Sequence, residues 1–363
     1  MKFTRREFSR LATLAAVSPL LPSVEAQSPQ RQLRWCIVGL GRISMNNFMP
    51  GVKISQKSRI TALVSGHRDK AEKQAALYGV SPKFIYNYEN FDTIKDNKEI
   101  DAVYIALPNS MHAEYTIRAA KAGKHVLCEK PMATSVADCK SMIAACREAG
   151  VKLMIGYRCH FEPTNLRAIE LIRSGAIGTV QTIQSSFGFN IRAGEWRAER
   201  KMAGGGPLMD VGIYSLNACR YLTGEEPVDI KANASVIDHD GRFHDVEENI
   251  SWTMKFPSGI VAACNTTYGA QMVGAYTVNG SKGILDVSPA FVYQGLHLTA
   301  QLPDHKVIDE PNTQSDPYQF KNEADHFVDG VFENKTPKTP GEEGLRDMEL
   351  ISEIYKAAGQ PGL

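Results

Sequence analysis

The chain has 363 residues, which at about 150 residues per domain corresponds to two domains. Its 43% hydrophobic and 22% charged residues are the mix of a globular protein with a packed core. The 41 basic and 40 acidic side chains leave a formal charge of +1, without the basic excess that counterion release from nucleic acid needs, so nucleic-acid binding is not expected.

The first 26 residues read as an address. MKFTRREFSR is basic, Leu11 to Leu21 is an apolar run broken by Ser18 and Pro19, and Val24-Glu25-Ala26 supplies a cleavage site. The run is too short to cross about 30 Å of hydrocarbon, so no permanent membrane anchor is expected. Thr4-Arg5-Arg6-Glu7-Phe8 resembles a twin-arginine export signal, with Ser9 in place of the usual larger apolar residue. This signal predicts a periplasmic or secreted protein that folds before export.

From Arg34 to Ile155 short β-rich runs alternate with helical patterns. The expected strands are 34–38, 60–64, 84–86, 103–106, 126–128 and 153–155. Six strands with intervening helices predict an α/β fold, a doubly wound parallel Rossmann sheet over residues 33–158. The last of these helices starts at a capping box, Ser135 with Asp138, and ends at Gly150; Cys139, Met142, Ile143 and Cys146 share its inner face. Residues 159–315 change grain: a helix over 164–174 precedes β-rich runs such as 250–256 and 260–268, predicting an α+β domain on an open, largely antiparallel sheet. Segments 319–334 and 341–358 read as helices that pack back on the first domain, within a closing region of 316–363.

Val38-Gly39-Leu40-Gly41-Arg42-Ile43-Ser44 links a strand to a helix. Gly39 permits the tight turn and Gly41 lets backbone approach a pyrophosphate, while Ser44 replaces the third glycine of the usual fingerprint. After the second strand stands Ser65-Gly66-His67-Arg68-Asp69-Lys70. An NAD site places a carboxylate at that strand end for the ribose 2′-hydroxyl; a hydroxyl followed by Lys70 suits a 2′-phosphate, so NADP is expected. His67 and Arg68 either join it or form a solvated first turn. Leu107-Pro108-Asn109 follows the fourth strand and faces the ligand edge, with His112 either beside the nicotinamide or satisfied within the fold. The seven cysteines and nine histidines form no ligand ladder, so no metal site is expected.

Cys128-Glu129-Lys130-Pro131 closes the fifth strand, and Gly204-Gly205-Gly206-Pro207-Leu208-Met209-Asp210-Val211-Gly212-Ile213-Tyr214 sets Asp210 and Tyr214 four apart on one helix face. An amine, an acid and a phenol can therefore converge. On the Gly39 turn, Glu129-Lys130-Pro131 and the Asp210 to Tyr214 helix, the chain resembles the Gfo/Idh/MocA oxidoreductase family over residues 33–358. Leu63-Val64-Ser65-Gly66, Leu107-Pro108-Asn109-Ser110, Gly156-Tyr157-Arg158-Cys159-His160 and Asp210 to Asn217 place it nearest the glucose-fructose oxidoreductase branch. Most of the wider family has His at the position of Tyr214.

The resemblance implies catalytic roles for Lys130, Asp210 and Tyr214. It implies cofactor contacts at Ser65, Lys70, Tyr88, Glu129, Arg158, Trp196, Arg197 and Tyr293, beside those of Gly39, Leu40, Gly41, Arg42, Ile43, Gly66, Leu107, Pro108, Asn109, His112 and Lys130. A cis Lys130–Pro131 peptide and a dimer through the second-domain sheet are also implied. The activity implied is oxidation of an aldose at its anomeric carbon to a lactone, then reduction of a second sugar on the same tightly held NADP. Tyr214 moves the hydroxyl proton and Lys130 stabilises its phenolate. That branch carries a long N-terminal arm over a neighbouring subunit's cofactor, whereas only 27–32 separate the cleavage point from the first strand here, so a homodimer is expected rather than that branch's tetramer. Two other readings remain open: an NAD-dependent glycosidase on this fold, and a non-catalytic nucleotide sensor.

Overall fold

The computed structural model describes residues 31–314 and 317–363; the export signal read over 1–26 lies outside them. Six strands, β1 (Leu33–Val38), β2 (Ser58–Val64), β3 (Ile85–Tyr86), β4 (Ala102–Ile105), β5 (His125–Glu129) and β6 (Leu153–Gly156), form one sheet in the order β3-β2-β1-β4-β5-β6. All its pairings are parallel. The order reverses between β1 and β4, the point at which such sheets bind ligands beyond the carboxyl ends of their strands. The third strand is shorter than the sequence suggests, because Pro82–Phe84 forms a 3-10 turn in place of its start.

A parallel sheet needs cover on both faces, which is why β1 is apolar almost throughout. Cys36 and Val38 face one cluster with Tyr115, Met142 and Cys146. Trp35 and Ile37 face another with Phe48, Tyr104, Phe320 and Phe327. On the first face α1 (His112–Lys121) packs against α2 (Val136–Glu148), whose start is capped as read: the Asp138 N–H donates to Ser135 Oγ at 3.1 Å. The second face is closed by α3 (Tyr318–Phe332), whose Phe320, Ala324, Phe327 and Val328 recur at i, i+4, i+7 and i+8. The final helix, α4 (Gly341–Ala357), lies against α2 and β6.

Eight further strands form the second sheet: β7 (Val180–Gly188), β8 (Asp229–Ser235), β9 (Asn249–Lys255), β10 (Val261–Thr267), β11 (Ala275–Gly280), β12 (Ile284–Val287), β13 (His297–Gln301) and β14 (Val307–Pro311). Their order is β14-β13-β12-β11-β7-β10-β9-β8, antiparallel except for the β7–β10 pair. Strand β9 alternates: Ile250, Trp252 and Met254 point inward while Ser251, Thr253 and Lys255 are exposed. Two helices cover the inner face, α5 (Pro163–Arg173) and α6 (Ile213–Thr223). The expected α/β class, a doubly wound parallel sheet followed by an open, largely antiparallel one, is the observed architecture. All seven cysteines are buried and unpaired. Among the described residues no helix is long and apolar enough to cross a membrane.

His160 follows β6 in a buried position, its Nε2 at 2.8 Å from Asn217 Oδ1. Burial lowers its pKa from 6.5 to about 4. A depressed folded pKa gives stability that is present above pH 6.5 and is lost as the pH falls towards 4, roughly 3 kcal/mol from this one group. Denaturant titrations at pH 7 and pH 4.5 are therefore expected to show a larger acid loss for the native chain than for His160→Gln. Equal losses would remove His160 as the cause.

Candidate active site

The turn after β1 is built around a glycine with a φ of +93°. A Cβ on Gly39 would stand 2.5 Å from the carbonyl oxygen of Ala106, so no other residue fits. The Cβ position of Gly41 meets nothing within 4 Å, leaving the head of the following helix open to a ligand. Ser44, in the third-glycine place, donates its hydroxyl to Gly39 O at 2.6 Å and ties the turn shut from behind.

Lys70 reaches back over this turn, its Nζ donating to Leu40 O at 3.4 Å. Ser65 Oγ accepts the His67 N–H at 3.0 Å, and Tyr88 lies against Gly66. Arg68 turns away to Glu72 at 2.8 Å and to the carbonyl of Ile85, while His67 is exposed, so of this basic trio only Lys70 borders the turn. An open helix head, an ammonium beside it and no carboxylate at the end of β2 fit a dinucleotide, and Ser65 with Lys70 fits a phosphorylated ribose.

Two residues assigned to the cofactor have other employment. His112 is buried with Nδ1 2.9 Å from Pro131 O and Nε2 2.9 Å from Leu107 O. Burial lowers its pKa against the two carbonyl contacts, and the ring bridges the loop after β4 to the turn after β5. It fixes the site's frame without a nitrogen left for a ligand. Asn109 is also buried, its Nδ2 donating to Ala203 O at 2.9 Å, which fastens the first domain to the second. Leu107 is buried above His112, and Pro108 is half-buried beside it.

The amine, acid and phenol do meet. Lys130, on the cis Lys130–Pro131 peptide beyond β5, donates Nζ to Asp210 O at 2.6 Å and to Asp210 Oδ1 at 3.3 Å. Its ammonium stands 4.7 Å from the Tyr214 ring centroid. Asp210 and Tyr214 do not share one α-helix: residues Leu208–Gly212 form a π-helical turn and α6 begins at Ile213. This wider turn still sends both side chains to Lys130. Pro207, which lacks an N–H, sits just before the turn.

Asp210 Oδ2 accepts from Tyr268 OH at 2.9 Å and pairs with Arg197 Nε at 3.3 Å. Burial opposes its ionisation, but Lys130, Arg197 and the Tyr268 hydroxyl outweigh it and hold the carboxyl below the usual range. Asp210 is thus an anion that anchors two cations. Burial pushes the Tyr214 phenol well above its ordinary value, against the opposing charge of Arg158. The sequence pointed to Lys130 as the cation serving this phenol; Arg158, with its guanidinium carbon 5.0 Å from the ring, is a second.

Arg158 is itself held through both terminal nitrogens. It lies 4.5 Å from the Tyr293 ring and donates Nη1 to Gln319 Oε1 at 2.7 Å and Nη2 to Phe291 O. Trp196, half-buried, stacks under Arg197 at 4.5 Å. Glu129 accepts from Tyr104 OH at 2.5 Å below the sheet edge. Arg42 is exposed and Ile43 half-buried at the helix head. Tyr268, Gln319 and Tyr104 were not singled out from sequence. Tyr268 stands just past β10 and Tyr104 inside β4, where only strand pairing shows which group an aromatic hydroxyl meets.

A family model described as an oxidoreductase family with an NAD-binding Rossmann fold matches residues 33–157. The GFO/IDH/MocA C-terminal domain matches residues 165–286. A D-xylose 1-dehydrogenase [NADP(+)] of Haloarcula marismortui is 30% identical over 341 residues, 92% of this chain and 93% of that protein. The crystal structure of an aldose-aldose oxidoreductase from Caulobacter crescentus, complexed with glycerol, superposes with a TM-score of 0.87 at 45% identity, covering 91% of this chain and 98% of that one. A 3-ketoreductase from Actinomadura kijaniata in complex with NADP shares the fold at a TM-score of 0.77 and 23% identity, over 90% of this chain and 98% of that one.

Proposed function

From the premise that the chain belongs to the GFO/IDH/MocA family as a sugar oxidoreductase with an NAD(P)-binding Rossmann domain, we propose that it is an exported NADP enzyme. It oxidises an aldose at the anomeric carbon to a lactone and reduces a second sugar on the same retained cofactor. The observation that carries this reading is the meeting of Lys130 Nζ with Asp210 at 2.6 and 3.3 Å, 4.7 Å from the Tyr214 ring. The similarity to an aldose-aldose oxidoreductase and to an NADP-dependent xylose dehydrogenase supports the substrate class and the cofactor.

The Gly39–Ile43 turn, Ser65 and Lys70 would hold the nucleotide, with Arg158, Trp196 and Tyr293 towards its reactive end. The bound nicotinamide supplies hydride acceptance and, when oxidised, a positive charge. The chain does the rest. An ammonium has three donors; Lys130 directs two at Asp210 and keeps one for a sugar hydroxyl. Tyr214 takes the hydroxyl proton in oxidation and returns it to a carbonyl oxygen in reduction. Burial favours the protonated phenol, which suits the returning step; in the forward step the charges of Arg158 and Lys130 beside the ring favour the phenolate.

Export makes retention necessary, since outside the cytoplasm no NADP pool replenishes a cofactor lost after one turnover. Purifying the mature chain without added nucleotide and adding single aldoses tests both points. A rise at 340 nm, reversed by a second sugar, supports the cycle; cleavage of an aryl glycoside with no net oxidised product would favour the glycosidase instead. Ser65→Asp is expected to weaken NADP binding by about 10- to 100-fold, because a carboxylate at the end of β2 repels the 2′-phosphate, while NAD binding holds or improves. Fluorescence titration with the two nucleotides checks this.

A homodimer through the second sheet is part of the same proposal. The outer face exposes short side chains, among them Asn233, Ser251, Thr253, Ala263 and Asn265, which allow close approach of a second sheet. Ala263→Arg, at the middle of that face, is expected to turn a dimer into a monomer in sedimentation velocity. An unchanged sedimentation coefficient would place the interface elsewhere.

A further inference from the structure

Gln319, in the first turn of α3 and only 5% exposed, spends both ends of its amide inside the fold. Its Oε1 accepts from Arg158 Nη1 at 2.7 Å, and its Nε2 donates to Tyr293 O at 3.0 Å. These partners dictate the side chain. A guanidinium only donates and a carbonyl only accepts, so the group between them must carry an acceptor at one end and a donor at the other. A glutamate would set an oxygen against the Tyr293 carbonyl, and an apolar side chain would serve neither partner. Only an amide of this length meets both.

The clamp extends to the phenol. Arg158 Nη1 also donates to Val292 O at 3.2 Å and Nη2 to Phe291 O, so the stretch from Phe291 to Tyr293, between β12 and β13, is tied to the guanidinium at two carbonyls and through Gln319 at a third. The guanidinium carbon lies 5.0 Å from the Tyr214 ring centroid and 4.5 Å from that of Tyr293, while the Phe291 ring stands 5.7 Å from Tyr214. Arg158 Nε is buried with no acceptor, which leaves one donor for negative charge that forms beside it. Other charged groups border the same place: Lys130 beyond β5, 4.7 Å from the Tyr214 ring, Glu129 at the end of β5, and Cys159 next to Arg158. Glu323, one helical turn after Gln319 on α3 and wholly buried, lies within reach of the Arg158 charge. Burial opposes a Tyr214 phenolate most, Arg158 is the charge that most favours it, and Cys159 and Glu129 oppose it.

We propose that Gln319 is a positioning residue for the proton step: its amide holds the Arg158 guanidinium against the Tyr214 ring, so that α3, outside the catalytic trio, keeps a cation where the phenolate forms. This rests on the sugar-oxidoreductase reading above, in which Tyr214 takes the hydroxyl proton. A guanidinium released from the clamp keeps its charge but loses its place. Misplacement of a catalytic group by about 1 Å is enough to cost an order of magnitude or more in rate. Gln319 acts through Arg158 and the Tyr293 carbonyl, so its effect depends on the phenol being there to be served.

A double-mutant cycle with Tyr214→Phe tests this, by single-turnover sugar oxidation at pH 7 in the mature chain loaded with NADP+, read at 340 nm. Gln319→Met keeps the volume of the side chain and removes both hydrogen bonds. It is expected to lower the rate about tenfold, while the half-saturating sugar concentration and the NADP+ Kd stay within about twofold of native. In the Tyr214→Phe background the same change is expected to cost less than about twofold, because the group that Arg158 serves is gone. A tenfold loss that persists in that background overturns the proposal, since it then comes from general misplacement. A native rate in folded Gln319→Met overturns it as well. Should Gln319→Met not fold, Arg158→Lys decides by the same cycle: it keeps the charge but cannot meet Gln319 and both carbonyls in one plane. A loss confined to the chain that retains Tyr214 supports the proposal, and an equal loss in both backgrounds overturns it. A native chain that oxidises no aldose, or Tyr214→Phe at the native rate, overturns instead the reading on which this inference rests, and the inference with it.

Discussion

Tyr214→Phe is expected to lower kcat for sugar oxidation by roughly 10²- to 10⁴-fold, the range lost when a positioned proton-transfer group is removed. The ring would remain packed 5.7 Å from both Phe187 and Phe291, and the Lys130 and Arg158 cations would keep its face. Fold, nucleotide affinity and the Lys130–Asp210 contact should therefore stay within about twofold of native, so the loss falls on chemistry and not on assembly. Single-turnover absorbance at 340 nm separates the two, since binding precedes the change and hydride transfer is the change. A pH series adds a second reading: burial lifts the phenol, so the native forward rate is expected to rise with pH across the neutral range, and the variant should lose that rise. A variant within tenfold of native at every pH would exclude Tyr214 as the proton carrier.

The largest loss of stability is expected from Arg220→Ala. Arg220 lies on α6, the helix that carries Tyr214, and is buried among three carboxylates. It donates to Asp347 at 2.6 Å, Glu343 at 2.7 Å and Glu226 at 2.6 Å, the first two from α4. Asp347 is fully buried, and burial pushes its pKa up to about 6 even against the Arg220 charge. Removing the guanidinium leaves that carboxyl unpaired, an effect of about 3 to 5 kcal/mol for a broken buried pair. The denaturation midpoint should drop accordingly. In the double variant Arg220→Met with Asp347→Leu much of this loss should return, because no unpaired charge is then left inside. If the double variant is no more stable than Arg220→Ala alone, the cost comes from lost packing and not from a stranded carboxylate.

The two variants bear on one arrangement, since α6 holds the phenol at one end and the ionic tie to the C-terminal helix at the other. That tie was invisible in the sequence: Arg220 and Asp347 are 127 residues apart, and neither belongs to a local motif. The same holds for Glu323, which reads as one polar residue among several in an amphipathic helix. Its burial follows only from α3 lying across the sheet face that Trp35, Ile37 and Tyr104 leave apolar.

Local patterns carried much of the fold. The apolar β1 run, the glycine turn after it, the Ser135 cap and the alternation in β9 each depend on neighbours within a few residues, where backbone sterics and side-chain period act directly. The convergence of Lys130 with Asp210 was also legible, because one ends a parallel strand on the ligand edge and the other opens a helix after a glycine run. The local winding was not, since a π-turn over Leu208–Gly212 adds a residue that an α-helical count of four does not contain. Sequence likewise left His112 between a ligand role and a structural one. Its two carbonyl contacts, to Pro131 and Leu107, join loops from neighbouring strands, and only strand pairing brings those loops together. Residue type and spacing determined which chemistry this chain can hold; long-range packing decided which of those groups face a ligand, which are spent on the frame, and which are shut away from water, because charge and proton affinity depend on surroundings that the chain assembles only when folded.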